Sequence, residues 1–136
     1  QASAYQPDRP AASGSIVIDH NTIIDHAKTS SLNNEWLVAL VVARSSNVVV
    51  SNNEIINPYH DAMSIEDAPE EGHYRIRNIS LIDNTVRGSR QADVFLTASG
   101  TFTSRGNRFY KAGSNTPSRP LVRRAGNGNT GRLSFE

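Results

Sequence analysis

Cysteine is absent from this 136-residue chain, methionine and tryptophan occur once each, and aromatic residues make up 7% of it. Without thiols there is neither a disulfide framework nor a thiolate metal site, and cysteine usage leaves the compartment open. An excess of charge is missing too: 14 Lys and Arg stand against 13 Asp and Glu, a formal net +1. That balance argues against a dedicated nucleic-acid-binding face. No apolar run approaches the ~18 residues of a membrane-spanning helix, and the longest, 36–43, has the length of a strand. A 3.6-residue amphipathic period is lacking as well, which argues against helical repeats. The first residue is Gln1, with neither methionine nor a signal-like apolar segment, so the sequence reads as a processed or excised part of something longer. What is left is one domain, or part of one, with enough chain for a core.

Positive features begin with an internal repeat. The stretch Ile16-Val17-Ile18-Asp19-His20-Asn21-Thr22-Ile23 returns around Asn53, around Asn84 and, more weakly, around Asn107. In every copy an apolar residue stands five places before the asparagine (Ile16, Val48, Ile79, Phe102) and another two places after it (Ile23, Ile55, Val86, Phe109). Three places before it stand Ile18, Val50, Leu81 and, as the exception, Ser104. The asparagines are 32, 31 and 23 residues apart, an interval typical of solenoids and similar arrays. Within each unit the apolar alternation has period two, so the repeating element is a strand. A further apolar pair belongs to each unit: Leu40 and Val42, Met63 and Ile65, Val94 and Leu96. One turn therefore reads strand, short turn, strand, asparagine bend, strand, variable loop. Residues 1–14, rich in Ala, Ser, Gln and Pro, read as a linker, arm or cap, and 15–136 as the repeat domain.

This pattern resembles the right-handed parallel β-helix of the pectate-lyase-like superfamily. The resemblance implies an all-β, single-stranded solenoid of three parallel sheets, with about four coils plus a partial one, within a longer helix. It also implies that Asn21, Asn53, Asn84 and Asn107 form an internal ladder at the bend after the second strand of each coil. Coils in such a stack lie ~4.8 Å apart, so equivalent side-chain amides can bond up the stack. Asparagine also suits the left-handed backbone of a sharp bend. The inward positions then name a core from Ile16 to Phe109, with Leu133 and Phe135 entering a fifth second strand. Val17, Ile24, Val49 and Ile56 point outward and suggest a covered apolar strip.

Enzymes of this fold resemble one another in a groove along the sheet of first strands. Mapped onto matching positions, its floor holds Ala39, Val41, Ala43, Ser64, Glu66, Asp93, Phe95 and Thr97. Asp61 and Asp93 fall on neighbouring coils, offset by one place. Such a carboxylate pair suits acid/base cleavage of a glycosidic bond, with His60 as an auxiliary base beside Asp61. The plainer reading has Asp61 capping the turn before its strand and Glu66, Asp67, Glu70 and Glu71 in a solvated loop. Trp36 offers a stacking face, Arg44 a partner for a uronate carboxylate, and Ser64 and Glu66 further substrate contacts. No cofactor is required by these residues, although calcium would suit the carboxylates. The complete ligand set of the lyases and the paired-aspartate signature of the polygalacturonase-type hydrolases are both absent.

The expectation is thus a carbohydrate-binding or carbohydrate-cleaving portion of a secreted polysaccharide-active protein, extracellular, on the cell surface or periplasmic. Its partners would be a polysaccharide or oligosaccharide and further β-helix coils or chains at its ends, with no nucleic acid and no membrane. The rival is a non-catalytic scaffold of the adhesin or phage tail-spike kind. An enzyme should show converging carboxylates of perturbed pKa, and a scaffold scattered charge.

Overall fold

A computed structural model describes residues 15–26, 38–43, 45–67, 76–98, 100–124 and 131–136. The described chain is all strand, turn and bend. Its strands come as four triplets and a final single strand: β1 (Ile16–Asp19), β2 (Thr22–Ile24) and β3 (Leu40–Ala43), then β4 (Val48–Ser51), β5 (Glu54–Ile56) and β6 (Met63–Glu66). The third triplet is β7 (Ile79–Ile82), β8 (Thr85–Arg87) and β9 (Val94–Leu96). The fourth is β10 (Thr101–Arg105), β11 (Arg108–Tyr110) and β12 (Val122–Arg124), and β13 (Arg132–Phe135) follows alone.

Each strand pairs in parallel with its counterpart one coil away. The three resulting sheets are β1-β4-β7-β10-β13, β2-β5-β8-β11 and β3-β6-β9-β12. The register follows the repeat: Ile16 faces Val48, Val48 faces Ile79, and Phe102 faces Leu133. Ile23, Ile55, Val86 and Phe109 form a second row, and Leu40, Met63, Val94 and Val122 a third. These rows meet in one core, in which Val48, Val50, Ile55, Ile65, Val86, Val94 and Leu96 are wholly buried. Burial of each aliphatic side chain contributes ~1.5–3 kcal/mol before chain entropy is charged.

The period-two alternation of the sequence is thereby explained. β4 and β7 bury Val48, Val50, Ile79 and Leu81 and turn Val49 and Ser80 outward. The core thins at both ends of the described stack. Ile16, Ile18 and Ile23 are only half-buried, because a solenoid's stability comes from nearest-neighbour coils and an outer coil has one fewer. At the other end Leu133 is buried, whereas Phe135, in register with Ser104, is 56% exposed.

Three corners separate the sheets. At the first, the asparagine amides form a continuous ladder. Asn21 Nδ2 donates to Asn53 Oδ1 at 3.0 Å, Asn53 Nδ2 to Asn84 Oδ1 at 3.0 Å, and Asn84 Nδ2 to Asn107 Oδ1 at 2.8 Å. Each Oδ1 also accepts the backbone N–H of the asparagine before it in the stack. Asn53, Asn84 and Asn107 further donate to the carbonyls of Ile18, Val50 and Leu81. The sequence suggested that the ladder asparagines carry the left-handed bend, but the backbone puts it one residue earlier. His20, Asn52 and Asp83 have φ of 53°, 52° and 53°, and Gly106 completes the column at 66°. The physical reason is that the ladder residue must send its side chain inward along the stack, so its predecessor takes the reversal. Gly106 has no latitude, since a Cβ there would lie 2.0 Å from Asp83 Oδ1.

Candidate functional site

The corner after β2, β5, β8 and β11 differs from the ladder. It too begins with a left-handed column, Asp25, Asn57 and Gly88, and a Cβ on Gly88 would approach Asn57 Oδ1 to 2.8 Å. Beyond that column the coils diverge. Tyr59-His60-Asp61 and Arg90-Gln91-Ala92 occupy equivalent rungs, while the fourth coil makes an excursion through 111–121 before β12. Ser118 N–H donates to Phe109 O at 2.7 Å, and these two residues form an antiparallel bridge that folds the excursion back on the stack.

Asp61 is fully buried. One carboxylate oxygen accepts the Ala92 N–H at 2.9 Å and the other accepts from Arg123 Nη2 at 2.6 Å, two coils away. The Arg123 guanidinium lies 3.9 Å from the centre of the Phe95 ring. A charge removed from water at this depth needs such a partner. His60 is buried beside it; its Nδ1 is 2.8 Å from Gln91 Nε2, and its Nε2 is buried with no hydrogen-bond partner among the described residues.

Asp93 sits one place along on the neighbouring coil. Its oxygens accept the Ser89 hydroxyl at 2.9 Å and the Leu121 N–H at 2.8 Å. Burial raises its pKa above the ordinary carboxylate range, against the lowering effect of those two bonds. The two aspartates therefore face different environments. Asp61 is fixed by a cation, whereas Asp93 is held by neutral donors and lines a cavity.

Ser64 is fully buried and donates to Glu66 Oε1 at 2.7 Å. Ser64 and Phe95 are opposed in register on β6 and β9, and both are buried. The outward face of the first-strand sheet is closed at these positions, where the sequence suggested an open groove. Arg123, opposite Phe95 on β12, is tied to Asp61 and lies over that ring. Trp36 and Arg44 lie outside the described residues.

Among the described residues, open space is found at the corner. One cavity of about 260 Å³ is lined by Asp25, Asn57, Tyr59, Gly88 and Arg90 among others. A second of about 210 Å³ is lined by Arg90, Gln91, Asp93, Tyr110, Lys111 and Arg119 among others. Arg90 belongs to both and so stands between them. Its guanidinium lies 4.8 Å from the centre of the Tyr59 ring, and Arg87 lies 3.9 Å from that of Tyr110, positions that favour cation–π attraction. Sequence reasoning missed Arg90, Lys111 and Arg119. Arg90 had a usable signal, standing 31 residues after Tyr59, one coil of the repeat. Among the described residues no group of three His, Cys, Asp or Glu could hold a metal ion, and no helix is long and apolar enough to cross a membrane.

Comparison with known proteins adds one match. A family model described as "Right handed beta helix region" matches residues 11–117, which covers most of the chain and gives the hand of the solenoid as right-handed. No curated protein and no solved structure matches.

Proposed function

Because the chain belongs to the right-handed β-helix family, we propose that it is a carbohydrate-binding portion of a polysaccharide-active protein, holding its glycan at the corner cleft without cutting it there. The observation that carries this reading is the pair of cavities meeting at Arg90. Sugar sites combine ring faces for stacking with a few polar groups that fix orientation. Tyr59 and Tyr110 supply the former, and Gln91, Asp93 and Ser118 the latter.

Binding without cleavage follows from Asp61. Acid/base hydrolysis needs two carboxyl groups that exchange protons with substrate or water. Asp61 is buried and spends both oxygens on Ala92 and Arg123. Asp93, with its raised pKa, retains the character of a general acid, but among the described residues no second carboxylate lines its cavity. A protein of this kind works where polysaccharides are met, in an extracellular, cell-surface or periplasmic setting. Neither calcium nor another cofactor is needed for this mode of binding.

A second reading, the non-catalytic scaffold, has one observation in its favour. Val17 and Ile24 are 64% and 59% exposed, above the half-buried Val49 and Ile56 of the next coil, a surface suited to assembly. The test is a panel of polysaccharides scored for retention in affinity electrophoresis and for release of reducing ends. The expected result is retention by at least one glycan with no release. Release that disappears in Asp61→Asn/Asp93→Asn would restore the catalytic assignment. Failure of every glycan to retard the chain would leave the scaffold.

A further inference from the structure

Three cations border the smaller cavity, and their situation differs from that of Arg123. Arg90, Lys111 and Arg119 are all exposed. Among the described residues no carboxylate forms an ion pair with any of them. Arg123, a few residues further on, is by contrast tied to Asp61. The one carboxylate in the wall, Asp93, directs its oxygens to Ser89 and Leu121. The wall thus presents unneutralised positive charge from the third coil and from the fourth coil's excursion, in a chain whose overall charge is near zero.

Arg90 also has an aromatic neighbour. Its guanidinium lies over the Tyr59 ring, 4.8 Å from the centre, a contact that leaves its edge N–H groups able to donate. A guanidinium so presented matches the paired oxygens of a carboxylate or an ester sulfate. Lys111 precedes the turn closed by Ser114 N–H onto its own carbonyl, and Arg119 follows Ser118, which is pinned to Phe109. Backbone hydrogen bonds therefore anchor both ends of the excursion that carries these two cations.

We propose that this cavity is an anion subsite, in which Arg90, Lys111 and Arg119 directly engage an acidic group of a glycan with no bridging calcium ion. The proposal rests on the saccharide reading above and adds its ligand class and the manner of contact. Direct contact is favoured because a wall with three cations and one carboxylate would repel a divalent cation. Tyr110 and the 60% exposed Leu121 border the same space and give the sugar ring an apolar surface beside its acidic substituent.

The test uses the whole chain against three probes: dextran sulfate, polygalacturonate and unmodified dextran, each with and without EDTA. Retention by dextran sulfate or polygalacturonate, unchanged by EDTA and lost as salt rises, is expected; the difference between those two arms tells ester sulfate from carboxylate. Arg90→Gln should weaken that binding about tenfold and Arg90→Gln/Arg119→Gln about a hundredfold, each charge-assisted bond contributing on the order of a decade. Arg105→Gln, on the opposite corner, should leave it unchanged. Circular dichroism on the same samples establishes that the variants are folded. Retention by dextran alone would overturn the anion subsite and leave the saccharide reading standing. Silence with all three probes and with the wider panel would overturn both. Loss of binding in EDTA, or undiminished binding by folded Arg90→Gln/Arg119→Gln, would overturn the assignment of these residues.

Discussion

The ladder corner and the cleft corner are made by the same chain reversal, repeated at the same coil spacing, yet they are chemically opposite. At the ladder corner asparagine recurs at four successive rungs, and each amide bonds its neighbour in the column. The amides of Asn53 and Asn84 are consumed by the stack. At the cleft corner the rungs differ from coil to coil, and the cations Arg90, Lys111 and Arg119 are left without an ion-pair partner among the described residues. Uniform side chains at a repeated position report cohesion, because the backbone poses the same problem each time. Divergent ones report something that the backbone does not ask for.

The largest effect expected from breaking this contrast belongs to a residue at its boundary. Arg123→Ala leaves Asp61 fully buried without its counter-charge, and loss of about 3 kcal/mol or more in urea unfolding is expected. Within the ladder, Asn84→Ala should cost about 2–3 kcal/mol, because it strands Val50 O and the Asn53 amide in the interior. The same change at Asn21, which is exposed at the first coil, should cost about 0.5 kcal/mol. Gly106→Ala should cost about 1–2 kcal/mol, since an alanine there takes a left-handed φ and meets Asp83. The smallest effect is expected at the cleft: Arg90→Gln and Arg119→Gln should each change stability by less than about 0.5 kcal/mol.

Two aspartates sharpen the contrast through pH. Asp19, beside the ladder, accepts from Ser51, Asn52 and His20, and these bonds lower its pKa to about 2, the Ser51 hydroxyl first. Its contribution is fully present above the ordinary value of 3.8 and fades as pH falls toward about 2. Asp93, in the cleft, has a raised pKa because of desolvation. The native state therefore holds its proton more tightly than the unfolded chain does, and stability falls as pH climbs from 3.8 through the raised value. Titration of the two carboxyls by NMR should find them on opposite sides of 3.8, and their contributions should tilt the stability curve in opposite directions.

Much of the ladder side was legible in the sequence. Asn21, Asn53, Asn84 and Asn107 stand at a fixed distance from paired apolar residues, and a parallel stack converts that spacing directly into register. The core followed from the same alignment, down to Leu133 opposite Phe102. β12 and the excursion before it were not legible, because the coil there lengthens and its apolar residues no longer keep the repeat's offsets. The partner of Asp61 was hidden for a different reason. Register sets Arg123 opposite Phe95, and the ion pair to Asp61 runs diagonally across two coils. Side-chain reach of that kind is not encoded in any interval. The position of the same guanidinium over Phe95 was equally out of view.

The most direct test of the division between a cohesive corner and a binding corner is an amide-resolved NMR titration of the whole chain with acidic oligosaccharide. The account predicts shifts concentrated at Arg90, Lys111 and Arg119, while the amides of Asn53 and Asn84 stay where they are. Shifts gathered instead on Ser64 and Phe95, or spread along the asparagine column, would contradict it.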